Sequence, residues 1–341
     1  MRAMVVTAPK GLPVLQDRTL PEPGPGEVRI KVQACGVCHS DKYVVDGLWP
    51  GLELPRVPGH EIIGTVDVVG DGVASVGPGA FARGDLVGLG WHGGHDGTCP
   101  ACSRGRFVLC ENAPITGISV DGGYQEYCIA PANALARVPA GMDPVAAAPL
   151  LCAGVTTFNA LRHTDARAGD LVAVQGLGGL GHLGVQFAAR MGFHTVAISR
   201  GADKERFAKE LGAHEYVDAA ADDAAAKLTA MGGARVILAT APNAAAISSL
   251  VPGLGIDGTL VMVGAPHEPL QIGAIDLIGR AAGVRGWASG DGNDSTDALA
   301  FAHRMAVRSH NEVFPLADAA KGYQRMLSGE ARFRVVLDVA S

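Results

Sequence analysis

In the first third of the chain, apolar and polar side chains change places at every second position. Val28, Ile30, Val32 and Ala34 alternate with Arg29, Lys31 and Gln33, the pattern of a strand with one buried face. Residues 62–69 and 85–89 predict further strands, punctuated by Pro-Gly pairs, and residues 1–6 run at once into a strand-like stretch. Near residue 140 the pattern changes. Asp143-Pro144 predicts a helix start, an N-cap acceptor followed by proline at the first helical position. The apolar segment 145–161 carries Pro149, two threonines and Asn159, and predicts a buried helix rather than a membrane span. Beyond it, short apolar strands at 171–175, 195–198, 235–238 and 259–263 alternate with helical patterns at 179–191 and about 203–211. The alanine-rich stretch 219–226 falls within a further predicted helix. Strand–helix alternation with apolar strands predicts a parallel, doubly wound sheet covered on both faces.

The motif Gly176-Leu177-Gly178-Gly179-Leu180-Gly181 follows the strand 171–175 directly and opens a helix. Alone, such a pattern is weak in a glycine-rich chain. Between a strand and a helix it predicts a dinucleotide site, its glycines allowing a tight turn, close approach of the pyrophosphate to backbone N–H groups and close helix–strand packing. The next strand ends Ile198-Ser199-Arg200, without the carboxylate that would bind a ribose 2′-hydroxyl. A hydroxyl and a guanidinium, with Lys204 nearby, suit a 2′-phosphate, so NADP(H) is favoured. The plainer reading makes Arg200 a solvated surface residue of an enzyme that takes NAD(H).

Composition narrows the partners. A chain of 341 residues suggests two domains. With 48% hydrophobic and 18% charged residues it is a folded protein, and its net charge of −6 without a basic run excludes nucleic acid or an anionic membrane as partner. The seven cysteines, Cys35, Cys38, Cys99, Cys102, Cys110, Cys128 and Cys152, are odd in number. With no secretory leader pattern they predict reduced thiols in a cytoplasmic protein rather than a disulfide framework. Cys99-Pro100-Ala101-Cys102, with Cys110 eight residues on, has the spacing of a zinc loop. Asp96, three residues before Cys99, supplies a possible fourth ligand. The alternative is three buried free thiols beside a loop aspartate.

Five separated motifs then occur in one order: Cys35-Gly36-Val37-Cys38-His39-Ser40-Asp41, Pro58-Gly59-His60-Glu61, the Cys99/Cys102/Cys110 loop, Leu151-Cys152-Ala153-Gly154, and the glycine motif. Over essentially its whole length the chain resembles the zinc-containing alcohol dehydrogenases of the medium-chain dehydrogenase/reductase family. The resemblance implies a GroES-like catalytic domain over 1–153 and 289–341, and a Rossmann doubly wound coenzyme domain over 154–288. It implies a catalytic zinc on Cys38, His60 and Cys152, with Asp41 orienting the ligating imidazole, Glu61 behind the metal and Ser40 taking the proton of the bound alcohol. By the same likeness His39 and Arg334 touch the coenzyme pyrophosphate, Thr156 and Val263-Gly264-Ala265 contact the nicotinamide, and Trp49 and Trp91 wall the substrate pocket. Cys35 and Cys128 match no ligand position, and the remaining histidines read as surface or packing residues.

Three positions depart from the family pattern. Asp96 stands where a first structural cysteine is usual, leaving the second zinc site weaker. Tyr43 stands where many members carry a proton-relaying histidine, so either the phenol relays by hydrogen-bond exchange or the proton leaves through water. Ser199 replaces the NAD-selecting aspartate. The expected reaction is reversible hydride transfer between a primary or small secondary alcohol and a nicotinamide coenzyme, in a homo-oligomer, dimer or tetramer. A zinc-free quinone or enone reductase of the same fold would have no use for Cys38, His60 and Cys152 together. A polyol dehydrogenase fits poorly with tryptophan walls, and a binding protein on this scaffold has no reason to keep the ligand set.

Overall fold

The alternation at residues 28–34 belongs to an eleven-residue strand, Glu27–Val37, in a computed structural model that describes residues 1–77 and 79–341. Its partner is Ile62–Val69, antiparallel, and the register slips between Val32 and Ala34, so that two residues face one. Such a bulge re-aims the strand. Past it Ala34, Cys35, Gly36 and Val37 are all buried, and the chain arrives at Cys38 inside the core.

The chain divides into two units, Met1–Val155 with Gly290–Ser341, and Thr156–Ser289. In the first, seven strands form one sheet, ordered Asn311–Pro315, Arg334–Asp338, Glu27–Val37, Ile62–Val69, Leu86–Leu89, Leu135–Arg137, with Tyr127–Pro131 also on Glu27–Val37. All pairs are antiparallel except Asn311–Pro315 with Arg334–Asp338. A separate hairpin pairs Arg2–Val5 with Val14–Asp17. The core packs Val28, Ile30, Ile62, Tyr124, Tyr323 and Val335.

In Thr156–Ser289, six parallel strands run in the order Glu215–Asp218, His194–Ser199, Leu171–Gln175, Ala234–Ala239, Leu254–Met262, Gly283–Gly286. By chain position that is 3-2-1-4-5-6, the doubly wound order of dinucleotide folds, reversing beside Leu171–Gln175. The two edge strands were not predicted. Short, and bearing polar residues or glycine, they lack the apolar run of an inner strand. The alanine-rich segment is helical only from Ala224, where Asp223 caps Ala224–Ala230 by accepting from Ala226 N at 3.0 Å.

One prediction needs correction. Residues 145–161 do not form one helix. Asp143 caps a short helix Pro144–Ala147, a 3₁₀ turn follows over Ala148–Leu151, and a second helix runs Ala153–Arg162. Pro149 has no N–H to continue the ladder and its ring crowds the preceding turn. The break leaves Cys152 at the junction, with φ −128 and ψ −74. No single helix among the described residues is long and apolar enough to cross a membrane.

Candidate active site

Four segments of the first unit converge on one buried cluster. Glu27–Val37 delivers Cys38, and the 3₁₀ turn His39–Asp41 follows at once. His60 comes in behind Gly59, whose φ is +101. A Cβ on Gly59 would lie 2.4 Å from the Tyr124 ring, so this position needs glycine both for its backbone and for its neighbour. Cys152 enters from the helix break, and Arg334 from the first residue of the last strand.

The ligand atoms of Cys38, His60, Glu61 and Cys152 all lie within 4.8 Å of one another, and the two sulfurs are 3.8 Å apart. Asp41 Oδ1 lies 3.2 Å from His60 Nδ1, and its Oδ2 accepts from the Cys38 backbone N–H at 2.9 Å. That contact ties down Nδ1 and leaves Nε2, buried, without a hydrogen-bond partner. Glu61 Oε1 accepts from the Arg334 guanidinium, while Oε2 has no partner.

The charges are tightly linked. The contact with Cys152 pulls the Cys38 thiol well below its ordinary pKa against the penalty of burial, and the same contact pushes Cys152 well above. Burial opposes a charge on His60, but Asp41 and Cys38 outweigh it and hold the imidazole well above its usual value. Burial lifts Glu61 to about 7 despite Arg334. A buried thiolate demands positive charge nearby. Two sulfurs, an unpartnered imidazole nitrogen and a carboxylate oxygen form a donor set suited to zinc, and the residues fit that ion.

The second unit holds the glycine motif. Gly176 takes φ +92 after Leu171–Gln175, its N–H donates to Ile198 O at 2.8 Å, and Gly181–Arg190 is helical. Ser199 ends its strand half-buried, with Arg200 exposed beyond it. Lys204 Nζ folds back to Arg200 O at 2.8 Å. Thr156 is buried at the start of this unit, and Val263 and Gly264 both donate to Ala239 O at 3.1 Å, with Ala265 following. Sequence reasoning missed Asp218, which the parallel register sets beside Ser199. Its Oδ1 accepts from Gly201 N at 2.8 Å and Ala220 N at 2.9 Å.

Two family models match the chain: the alcohol dehydrogenase GroES-like domain over residues 24–140 and the zinc-binding dehydrogenase over 179–304. An alcohol dehydrogenase, notN, of Aspergillus sp. (strain MF297-2) is 46% identical over 95% of this chain and 93% of its own. An alcohol dehydrogenase of Geobacillus stearothermophilus is 38% identical over 99% of this chain and 98% of its own. The solved structure of a thermostable alcohol dehydrogenase from Pyrobaculum aerophilum, with cobalt and zinc bound, superposes with a TM-score of 0.86 at 30% identity, covering 99% of each chain. The chain belongs to the zinc-type medium-chain alcohol dehydrogenases.

This alcohol dehydrogenase carries a second cluster in its first unit. Ligand atoms of Asp96, Cys99, Cys102 and Cys110 also lie within 4.8 Å of one another. Asp96 Oδ1 accepts from Thr98 N at 2.7 Å and Cys99 N at 3.0 Å, and Oδ2 from Asn112 Nδ2 at 2.5 Å. The Asn112 bond and the two amides hold the Asp96 carboxyl well below the usual range. Around the first cluster runs an aromatic row: Trp91 stands edge-on to His60 at 5.0 Å, Trp49 to Trp91 at 5.8 Å, and Tyr43 to Trp49 at 5.4 Å. Ser40 is half-buried and His39 exposed in the turn after Cys38. Arg334 is buried against Glu61. Tyr124, fully buried, reaches Asp41 and had no signal in the sequence beyond the two glycines before it.

Proposed function

We propose that this alcohol dehydrogenase holds its catalytic zinc on Cys38, His60 and Cys152 and exchanges hydride between a primary or small secondary alcohol and NADP(H). The observation that carries the reading is the buried, unpartnered Nε2 of His60, fixed from behind by Asp41 and sharing one small space with two thiols. Bound there, the ion supplies the Lewis acidity that an alcohol needs to give up its proton near neutral pH.

The chain's own groups do the rest. Cys38 and Cys152 contribute negative charge, and Asp41 keeps the imidazole in the tautomer that frees Nε2. Ser40 accepts the hydroxyl proton of the alcohol, and Tyr43 passes it outward by hydrogen-bond exchange. Trp49 and Trp91 exclude water and favour an apolar carbon chain over a polyol. His39 and Arg334 bind coenzyme phosphate, with Arg334 also balancing Glu61. Gly176, Gly178, Gly179 and Gly181 seat the pyrophosphate, and Thr156 with the Val263-Gly264-Ala265 backbone contacts the nicotinamide. Exposed Arg200, with Ser199 and Lys204, favours a 2′-phosphate; Asp218 Oδ1 is already engaged by two amides. Asp96, Cys99, Cys102 and Cys110 hold a second, structural zinc.

Metal analysis and steady-state kinetics on the wild type and Cys38→Ser test this. The wild type should contain two zincs per chain and show a higher kcat/KM with NADP than with NAD. Cys38→Ser should lose one zinc and its turnover. Turnover within tenfold of wild type after that metal is lost refutes the catalytic role. A tenfold preference for NAD refutes the coenzyme assignment.

A further inference from the structure

Tyr124 lies 83 residues from Asp41 in sequence and completely inside the first unit. Its Oη donates to Asp41 Oδ2 at 2.8 Å, the oxygen that also accepts from the Cys38 amide at 2.9 Å, while Oδ1 faces His60 Nδ1 at 3.2 Å. Asp41 is therefore held at three points, and two of them are parts of ligand residues. Without the phenol, Oδ2 keeps one donor, and the carboxylate gains freedom to rotate about its Cβ–Cγ bond. Any such rotation moves the contact with Nδ1 and swings Nε2. The ring has its own part: its Cδ1 and Cε1 occupy the space beside Gly59, and the backbone is tied by Gly123 N to Gly59 O at 3.0 Å and Tyr124 N to Pro58 O at 3.1 Å.

We propose that Tyr124 is a positioning residue of the metal pocket, its hydroxyl fixing Asp41 and, through Asp41, the imidazole of His60. The inference rests on the reading that Cys38, His60 and Cys152 hold zinc. A merely structural phenol would need a partner for its own hydroxyl and nothing more. Tyr323 provides the comparison: it is equally buried, feels the charge of Asp41, and its hydroxyl has no partner. Burial and the Asp41 carboxylate both raise the Tyr124 pKa, so the phenol remains a donor wherever the enzyme works.

The test measures zinc release from purified holoenzyme to a colorimetric chelator, alongside zinc content, in wild type, Tyr124→Phe, Tyr323→Phe, Asp41→Asn and the double variant Asp41→Asn/Tyr124→Phe. Outer partners of ligating histidines typically matter about 10–100-fold in metal affinity. Tyr124→Phe, which keeps the ring, should release the zinc of this cluster roughly 10-fold faster or more, while Tyr323→Phe leaves release unchanged. The double variant should release zinc no faster than Asp41→Asn alone, because the phenol acts through that carboxylate. Should Tyr124→Phe fail to accumulate folded, the comparison of the double variant with Asp41→Asn decides alone, since neither leaves a buried carboxylate short of a donor. Release from Tyr124→Phe within twofold of wild type, or a further tenfold acceleration on the Asp41→Asn background, overturns the inference. Wild type that takes up no zinc at this cluster instead removes the reading beneath it.

Discussion

Two glycines of the 176–181 motif, three residues apart, should fail in different ways when given a methyl group. A Cβ on Gly181 would sit 1.8 Å from Gly176 O and 3.1 Å from Thr240 Oγ1. The nearer obstacle is backbone, with Gly176 C also at 2.7 Å, so the turn must move by more than an ångström before ordinary contact is restored. Overpacking of this kind costs about 1–3 kcal/mol, and the better helix propensity of alanine returns at most ~1 kcal/mol. A net loss of about 1–2 kcal/mol should lower the melting temperature by roughly 2–8 °C. If the motif's amides bind the pyrophosphate as proposed, displacing them should also weaken coenzyme binding by about tenfold or more. A Cβ on Gly178 meets nothing within 4 Å, and its φ is not in the left-handed region. Gly178→Ala should therefore melt with the wild type, yet bind coenzyme about tenfold more weakly, because its methyl takes the space the pyrophosphate needs. Calorimetry and fluorescence titration with NADPH and NADH read the two effects separately. Gly178→Ala binding within twofold of wild type would show that the pyrophosphate does not lie on this loop. Gly181→Ala as stable and as tight as wild type would show that the turn yields without cost.

The other expectations are briefer. Asp96→Ala should release the second zinc to a chelator sooner and lower thermal stability, whereas Asp96→Cys should do the reverse, thiolate being the softer match to zinc; one zinc per chain, indifferent to Asp96→Ala, refutes the second site. Ser199→Asp should shift kcat/KM from NADP toward NAD by repelling the 2′-phosphate, and an unchanged ratio would place the selection elsewhere. His92 is buried with neither ring nitrogen partnered, and burial, aided by His95, lowers its pKa to about 4. The unfolded chain, with a histidine pKa near ~6.5, takes up the proton first, so this stability is complete above that value and drains as pH falls toward the folded one; at about 1.36 kcal/mol per pH unit it amounts to ~3 kcal/mol. His92→Phe should flatten the fall in urea-unfolding stability between pH 6.5 and 4, and an unchanged slope would assign the acid sensitivity to other groups.

Periodicity carried the inner parts of both sheets. In Glu27–Val37 the buried Val28, Ile30 and Val32 flank an exposed Lys31, though Arg29 is buried too, paired with Glu22 and Asp67. Leu171–Gln175 and Ala234–Ala239 are apolar runs because both faces pack. Edge strands escaped the reading. Glu215–Asp218 and Gly283–Gly286 are half-exposed, so no face selects an apolar pattern. Pro149 was visible in the sequence, but that it breaks the helix and sets Cys152 at the junction depends on packing around the site. The converging thiols and imidazole were legible only through ordered motifs, since no spacing links Cys38, His60 and Cys152. Asp218 reaches Ser199 through strand register, and Tyr124 reaches Asp41 through the core; neither relation leaves a trace along the chain.

The sheet of the first unit is completed by the last strand of the polypeptide. Arg334–Asp338 slots between Asn311–Pro315 and Glu27–Val37, pairing with residues 34–37, and sets Arg334 against Glu61. A ribosome therefore delivers Cys38 and His60 well before the strand that closes over them, with the whole of Thr156–Ser289 made in between. At about 5–20 residues per second the interval from His60 to Arg334 is roughly 15–55 s. Throughout it the edge of residues 34–37 is unpaired, Glu61 lacks its guanidinium, and the thiols have no finished cage around them. A nascent chain in that condition is open to edge-to-edge pairing and to oxidation. The edge of residues 34–37 and the Glu61 carboxylate thus wait on Arg334–Asp338 before the sheet of the first unit is complete.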